Sequence, residues 1–114
     1  MGGYFYLCFI LMRKETLSGW GRNIWIEANV AEPQNADDIR YLFKKGTNGM
    51  TLRGLGRSYG DSSLGRNIVR TIGMDRLISF DAQNGILECE SGVILSDILK
   101  IFVARGWFPP VTPG

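Results

Sequence analysis

A glycine-rich segment of ten residues constrains the fold of this chain more than any other feature. It runs from Gly54 to Ser63 with the sequence Gly-Leu-Gly-Arg-Ser-Tyr-Gly-Asp-Ser-Ser, directly after a short predicted strand, Met50–Arg53. Glycine reaches positive φ without steric cost, so this composition does not continue as a regular strand or helix. The sequence therefore predicts a strand that ends in a long irregular loop, and such loops in compact domains are commonly functional.

The spacing of the glycines indicates an anion site. Gly54, Gly56 and Gly60 form G-x-G-x-x-x-G, one residue longer than the Rossmann fingerprint, and the chain has no G-K-[ST] sequence of a P-loop. Backbone N–H groups of consecutive glycines can still converge on a phosphate, and the guanidinium of Arg53 or Arg57 can offset its charge. On spacing alone, a glycine-rich connection without any ligand remains an equal alternative.

Composition excludes several classes of function. The chain has 114 residues, enough for one domain, with 45% apolar and 21% charged residues, as in ordinary globular proteins. Its 13 basic and 11 acidic residues are interspersed, so no nucleic-acid partner is expected. The chain contains no histidine, which excludes a His-based triad or His metal site within it. We assign no catalytic residue and no metal ligand to this sequence.

The cysteines and the N-terminus bear on localisation. Cys8 and Cys89 are far apart and form no C-x-x-C pair, which favours a reduced, cytoplasmic protein. An apolar run over residues 4–12 is too short to span a bilayer, and we do not expect membrane association. We interpret residues 1–16 as an N-terminal extension or a misassigned start, with a buried strand and a membrane anchor as the alternatives.

Periodicity and turn residues predict an α+β fold, a small mixed sheet with two flanking helices. Asn35 is the predicted N-cap of the first helix, and an Asn-Gly turn at Asn84 and Gly85 is predicted to join a hairpin. The prolines of residues 107–114 form no terminal element, so we expect the chain to be truncated. The predicted elements are strands over 24–31, 50–53 and 67–72, a hairpin over 77–81 and 86–90, and helices over 36–45 and from 95 to before 106.

The motifs of the chain resemble those of a known protein family. The sequence Arg-Gly-Leu-Gly-Arg-Ser-Tyr-Gly-Asp over residues 53–61 resembles the pyrophosphate-binding loop of the FAD-linked oxidases of the vanillyl-alcohol oxidase type, whose flavin domain is called PCMH-type. The similarity extends to residues 17–22, 90–93 and 106–114, and covers about 17–114. Within that superfamily the chain is most similar to the branch of decaprenylphosphoryl-ribose 2-oxidase-like sugar oxidoreductases.

The resemblance implies that residues 17–114 are the N-terminal portion of a PCMH-type FAD-binding domain. The family continues with a second flavin-binding segment and a substrate domain. The implied activity is oxidation of a sugar alcohol or a polyprenyl-phosphate sugar, with hydride transfer to the flavin. The alternatives are an aldonolactone or hydroxy-acid oxidase that shares the flavin domain, and an inactive phosphate- or nucleotide-binding fragment.

The resemblance also assigns the FAD contacts. Some members of the superfamily attach FAD covalently through a histidine of the glycine loop, and Arg57 occupies the corresponding place here, which implies non-covalent FAD. The residues implied to bind FAD are Leu52, Arg53, Gly54, Leu55, Gly56, Arg57, Ser58, Tyr59, Gly60, Asp61, Ser62, Pro113 and Gly114.

Several other residues favour structural roles over binding roles. Trp25 and Trp107 are expected to pack in the interior, and stacking on a flavin or adenine ring is the alternative. Asp61 is expected to stabilise a turn, because a carboxylate beside a diphosphate is repulsive. Asp37 and Asp38 are expected to lie on a solvated helix face.

Overall fold

The computed structural model describes residues 12–45 and 49–112. Most of the N-terminal apolar run lies outside the described residues, as do Pro113 and Gly114. The chain divides into two compact units, Met1–Met74 and Asp75–Gly114. Within these described residues, each unit contains one sheet and one α-helix.

The described strands and helix of the first unit are β1 (Met12–Ser18), β2 (Trp25–Ala31), α1 (Ala36–Lys44), β3 (Met50–Arg53) and β4 (Asn67–Arg70). The four strands form a mixed sheet with the spatial order β1-β2-β4-β3. β1 pairs with β2 in antiparallel orientation, whereas β2 and β3 both pair with β4 in parallel orientation.

The core of the first unit lies on both faces of β4. Ile68 and Val69 are adjacent along the strand, point to opposite faces and are both fully buried. On one face Ile68 packs in a cluster that is joined by Leu64 from the long connection between β3 and β4. On the other face Val69 packs with Leu42 of α1. The glycine-rich connection therefore covers one face of the sheet, and α1 covers the other.

The start of α1 follows the predicted capping pattern with one correction. The Asn35 side chain accepts a hydrogen bond from the Asp38 N–H at 2.9 Å, as an N-cap should. The Asp38 carboxylate accepts from the Gln34 N–H at 2.9 Å, and Asp38 is buried. The expectation that Asp38 lies on a solvated face was therefore wrong, since its buried carboxylate accepts the N–H of Gln34, the residue that precedes the N-cap.

β1 has no counterpart among the predicted elements. All seven of its residues pair with β2, and the strand crosses the boundary that the sequence analysis placed after residue 16. Its sequence, Met-Arg-Lys-Glu-Thr-Leu-Ser, has little apolar character, and Leu17 is its buried residue. Pairing with β2 stabilises this strand, so its own residues need not show an alternating apolar pattern.

The strand predicted over 67–72 is shorter in the structure. β4 ends at Arg70, and a 3-10 turn follows over Thr71–Gly73. A Cβ atom at Gly73 would lie 3.0 Å from the carbonyl oxygen of Pro33. The backbone therefore turns at the point where it closely approaches the segment before α1. The β propensities of residues 67–72 carry no information about this contact.

The second unit is a hairpin followed by a helix. β5 (Leu77–Asp81) and β6 (Ile86–Cys89) form a two-stranded antiparallel sheet, and α2 (Leu95–Phe102) continues into a 3-10 turn that ends at Gly106. Gly85 has φ of +67° in the connecting turn, as expected for the glycine of an Asn-Gly sequence. The hairpin and helix predictions are confirmed, although the connection has four residues, 82–85.

Aromatic packing holds the second unit together. The Phe80 ring lies 4.7 Å from the Phe102 ring and 5.3 Å from Trp107, in an edge-to-face arrangement with the indole. Trp107 therefore packs against another aromatic ring, but it is 37% exposed, so the expectation that it is interior was wrong. Trp25, in the first unit, is 57% exposed, so the expectation that it is interior was wrong.

The α+β class, with a small mixed sheet and two helices, is confirmed. The hairpin forms a separate two-stranded sheet and does not extend the four-stranded one. None of the helices within residues 12–45 and 49–112 has the length and apolar character needed to cross a membrane.

Gly85→Ala should destabilise the second unit by more than Gly106→Ala does. Both glycines have positive φ, so each change costs about 1 kcal/mol of backbone strain. A Cβ at Gly85 would also lie 2.8 Å from the Trp107 ring, whereas nothing lies within 4 Å of one at Gly106. We expect about 1 to 3 kcal/mol of additional loss at Gly85, measured by urea unfolding monitored through tryptophan fluorescence. Equal losses for the two variants would contradict the contact with Trp107.

Candidate functional site

The glycine-rich loop connects two adjacent parallel strands, β3 and β4. Gly56 and Gly60 have φ of +73° and +62°, so the prediction that this loop uses left-handed backbone is confirmed at both positions. The loop curves around a depression of about 320 Å³. The depression is lined by Leu52, Gly54, Leu55, Gly56, Arg57, Ser58, Ser62 and Ser63.

Seven of the residues predicted to bind a cofactor line this depression. Arg53, Tyr59, Gly60 and Asp61 belong to the same segment but are not part of the lining, and Ser63 joins the set. No carboxylate is present among the lining residues, which contribute backbone, hydroxyl and guanidinium groups. This donor set suits an anion, because backbone N–H and hydroxyl groups can donate hydrogen bonds without opposing its charge.

Gly54 and Gly56 have different structural reasons to be glycine. At Gly54, whose φ is not positive, a Cβ would meet nothing within 4 Å, so a side chain there would project into open space. At Gly56 a Cβ would collide with the terminal nitrogen of the Arg53 guanidinium. Gly54 therefore keeps the depression open, and Gly56 allows the loop to approach Arg53.

Arg53 forms the main polar contacts beneath the loop. Its guanidinium donates to the carbonyl oxygen of Ser18 at 2.9 Å, and to the carbonyl and hydroxyl oxygens of Ser63 at 3.4 and 3.3 Å. These bonds join the end of β3, the end of β1 and the far side of the loop. Both terminal nitrogens of Arg53 thus donate to protein acceptors, and its predicted role in offsetting the charge of a phosphate stays a prediction.

Arg57 lies on the exposed side of the loop. Its guanidinium carbon is 5.6 Å from the centre of the Trp20 ring, a cation–π contact. Trp20 belongs to a turn in which the Arg22 N–H donates to the Gly19 carbonyl at 3.1 Å. The turn thereby carries an aromatic ring to the rim of the loop, and Arg57 remains the lining residue with a positive charge.

The second half of the loop is held by its own turn contacts. The Leu64 N–H donates to the Asp61 carbonyl at 3.0 Å, and the Ser62 hydroxyl donates to the Tyr59 carbonyl at 3.2 Å. A Cβ at Gly19 would lie 2.9 Å from an Asp61 carboxylate oxygen. The backbone of Asp61 takes part in this turn, whereas the turn role expected of its carboxylate stays a prediction. The Tyr59 side chain is 94% exposed.

The sequence pattern predicts no role for Ser18 or Gly19. Both lie in the motif over residues 17–22, but the pattern does not show that this motif contacts the glycine-rich loop. Ser18 contributes only its backbone carbonyl, which any residue could supply, so its identity does not predict this contact. Gly19 is the residue that could have indicated the contact, because its missing side chain permits close approach to the loop.

No protein-family model matches the chain. Its sequence is similar to the decaprenylphosphoryl-β-D-ribose oxidase of Mycolicibacterium smegmatis, with 31% identity over 104 residues, which span 86% of this chain and 23% of that protein. It is also similar to two probable mitochondrial D-2-hydroxyglutarate dehydrogenases of rice, Oryza sativa subsp. indica and japonica. These matches have 38% identity over 47 residues, 41% of this chain and 8% of each rice protein.

These similarities confirm the resemblance to the FAD-linked oxidases that the motifs indicated. Within that class, the Mycolicibacterium relative confirms the similarity to the decaprenylphosphoryl-ribose oxidase branch. The chain spans 23% of the length of that relative, so the match concerns one segment of a larger protein.

Alanine at Gly54 and at Gly56 should affect the stability of the first unit in opposite directions. Gly54→Ala should leave the free energy of unfolding unchanged or raise it by up to about 1 kcal/mol, because the backbone is compatible and the unfolded chain loses entropy. Gly56→Ala should lower it by about 2 kcal/mol or more, through positive φ and the collision with Arg53. Chemical unfolding followed by circular dichroism measures the free energy of unfolding of each variant. Equal changes in the two variants would contradict the different structural roles of Gly54 and Gly56.

Proposed function

We propose that the loop depression binds the diphosphate of FAD, and that the chain is part of an FAD-dependent oxidoreductase acting on a CH–OH group. The observation that carries this proposal is an open, carboxylate-free depression formed by a glycine loop directly after a parallel strand. The similarity to an oxidase and to dehydrogenases supports the redox class. When bound, FAD would supply the two-electron acceptor.

The residues of the depression fit the diphosphate in shape and charge. Gly54 leaves space that any side chain would fill, and the backbone of the loop can come close to the phosphate oxygens. Ser58 and Ser62 contribute hydroxyl groups, and Arg57 contributes a charge at the rim. In this proposal the chain binds and orients the cofactor, and residues elsewhere in the protein perform proton transfer.

We propose non-covalent binding of the cofactor. The chain contains no histidine that could form a histidyl–flavin bond within it. At the loop position where some superfamily members carry that histidine, the side chain is Arg57, which contacts Trp20. A guanidinium is a poor nucleophile because it stays protonated, so it is suited to pair with a phosphate and not to form the bond.

For the substrate we propose a sugar alcohol or a polyprenyl-phosphate sugar. The support is the Mycolicibacterium relative, whose similarity spans 86% of this chain. A hydroxy acid is the second candidate, because the rice relatives named for D-2-hydroxyglutarate match 41% of the chain. The more extensive match favours the sugar, and both candidates share the same cofactor role for this segment.

Gly54→Val should abolish FAD binding and leave folding intact. Its branched side chain would occupy the depression, while its backbone remains unstrained. Titration of the full-length gene product with FAD, followed by flavin fluorescence, should show saturable binding in the wild type and at least a 100-fold weaker Kd in the variant, about 2.7 kcal/mol.

Gly21→Val is the matched control for this titration. Gly21 is also free of positive φ, and a Cβ there would lie 3.3 Å from the end of the flexible Asn23 side chain. The control should bind FAD as the wild type does. Wild-type protein that binds inorganic pyrophosphate but no FAD would instead support the alternative of a non-redox phosphate-binding fragment.

The substrate class is tested on FAD-loaded full-length protein under anaerobic conditions. Loss of the flavin absorbance bands after mixing with a polyprenyl-phosphate sugar or a sugar alcohol, but not with D-2-hydroxyglutarate, is the expected result. Bleaching by the hydroxy acid alone would replace the first candidate by the second.

A further inference from the structure

Two arginines lie side by side on the sheet face that the loop covers. Arg53 and Arg70 are partners in the parallel register of β3 and β4, so their side chains project from the same face. Like charges directly opposite each other destabilise a sheet, so this arrangement needs a compensating charge. Within the described residues, Glu15 of β1 provides one carboxylate, 2.9 Å from Arg70.

That carboxylate is hydrogen-bonded to Arg70 and also attracts Arg53, so a single negative charge faces two arginines. The hydrogen-bond acceptors of Arg53 in the described part of the chain are the carbonyl of Ser18 and the carbonyl and hydroxyl of Ser63, which are all neutral. The three charged side chains, two arginines and one glutamate, therefore sum to one excess positive charge. A guanidinium does not lose its proton in a protein, so this charge persists.

The environment of Arg53 makes that charge costly in the absence of an anion. The pKa of Arg53 lies below its ordinary value, first because burial disfavours the charged form and second because Arg70 repels it, and attraction by Glu15 offsets these effects only in part. Solvent screens a partly buried charge less than an exposed one, so its field extends further into the loop.

The Arg53 guanidinium also lies close enough to the depression for its charge to attract an anion bound there. Gly56 lines the depression, and the Cβ that it lacks would collide with the terminal nitrogen of Arg53. The charge therefore lies directly behind the loop backbone, with no side chain between the two. Its bonds to Ser18 and Ser63 hold it there, so binding would require no movement of a long side chain.

We propose that Arg53 is a positioning residue whose uncompensated charge, held behind the loop by Ser18 and Ser63, favours the diphosphate of FAD in the depression. This inference rests on the proposed function, since it takes the bound anion to be the FAD diphosphate. Arg53 acts through the loop and does not itself contact the ligand.

The test compares FAD with riboflavin, which has the same isoalloxazine ring and no phosphate. Arg53→Gln in the full-length protein should weaken the Kd for FAD at least tenfold, about 1.4 kcal/mol, and change the Kd for riboflavin less than twofold. Arg53→Lys, which keeps the charge and loses the fork, should recover at least half of the loss on a logarithmic scale. Arg40→Gln, which removes the same charge from α1 on the opposite sheet face, should change neither Kd.

Glu15→Gln gives a test of opposite sign that leaves Arg53 and its hydrogen bonds in place. Removing this carboxylate raises the excess charge of the cluster by one, so the Kd for FAD should become two- to fivefold tighter while the Kd for riboflavin stays constant. Circular dichroism shows whether Arg53→Gln folds. If it does not fold, Glu15→Gln alone tests whether the charge of the cluster affects FAD binding.

Three results would overturn the inference: equal weakening of FAD and riboflavin by Arg53→Gln, equal affinities of Arg53→Lys and Arg53→Gln, or no tightening of FAD binding by Glu15→Gln. Wild-type protein that does not bind FAD overturns the proposed function. Inorganic pyrophosphate is then the probe, and the inference on Arg53 holds if pyrophosphate follows the same order among the variants. Wild-type protein that binds neither ligand overturns both.

Discussion

The parallel pairing of β3 with β4 is the constraint on which the first unit depends. Two adjacent parallel strands cannot be joined by a tight hairpin, so the chain must return along a face of the sheet before β4 begins. A helix usually makes this return, but here residues 54–66 do so as a loop. Without a helical hydrogen-bond pattern, the loop needs other anchors, and the structure provides an apolar one and a polar one.

The apolar anchor is Leu64, which packs against the cluster around Ile68. The polar anchor is Arg53, whose bonds to Ser18 and Ser63 connect the loop to the ends of two strands. Glycine is needed at position 56 because the loop passes directly over this guanidinium, and residue 54 leaves the outer surface open. One structural requirement, closing a parallel connection without a helix, thus produces the concave, carboxylate-free surface from which the proposed cofactor role follows.

The charge arrangement follows from the same topology. Parallel register places Arg53 opposite Arg70, and the antiparallel addition of β1 brings Glu15 to Arg70. The pKa of Glu15 is lowered, chiefly by its hydrogen bond from Arg70, as expected for a carboxylate beside a guanidinium. The remaining excess of positive charge next to the loop supports the proposed binding of a diphosphate there.

Elements with local signals could be predicted from the order of residues alone. Asn35 caps the predicted helix, Gly85 lies in the turn of the predicted hairpin, and the spacing of Gly54, Gly56 and Gly60 locates the loop, because capping and positive φ are properties of single residues and their neighbours. The contribution of β1, the burial of Asp38 and the partners of Arg53 become apparent only in the folded chain. These depend on contacts between residues distant in the chain, such as Ser18 with Arg53, which a linear pattern of apolar and polar residues does not encode.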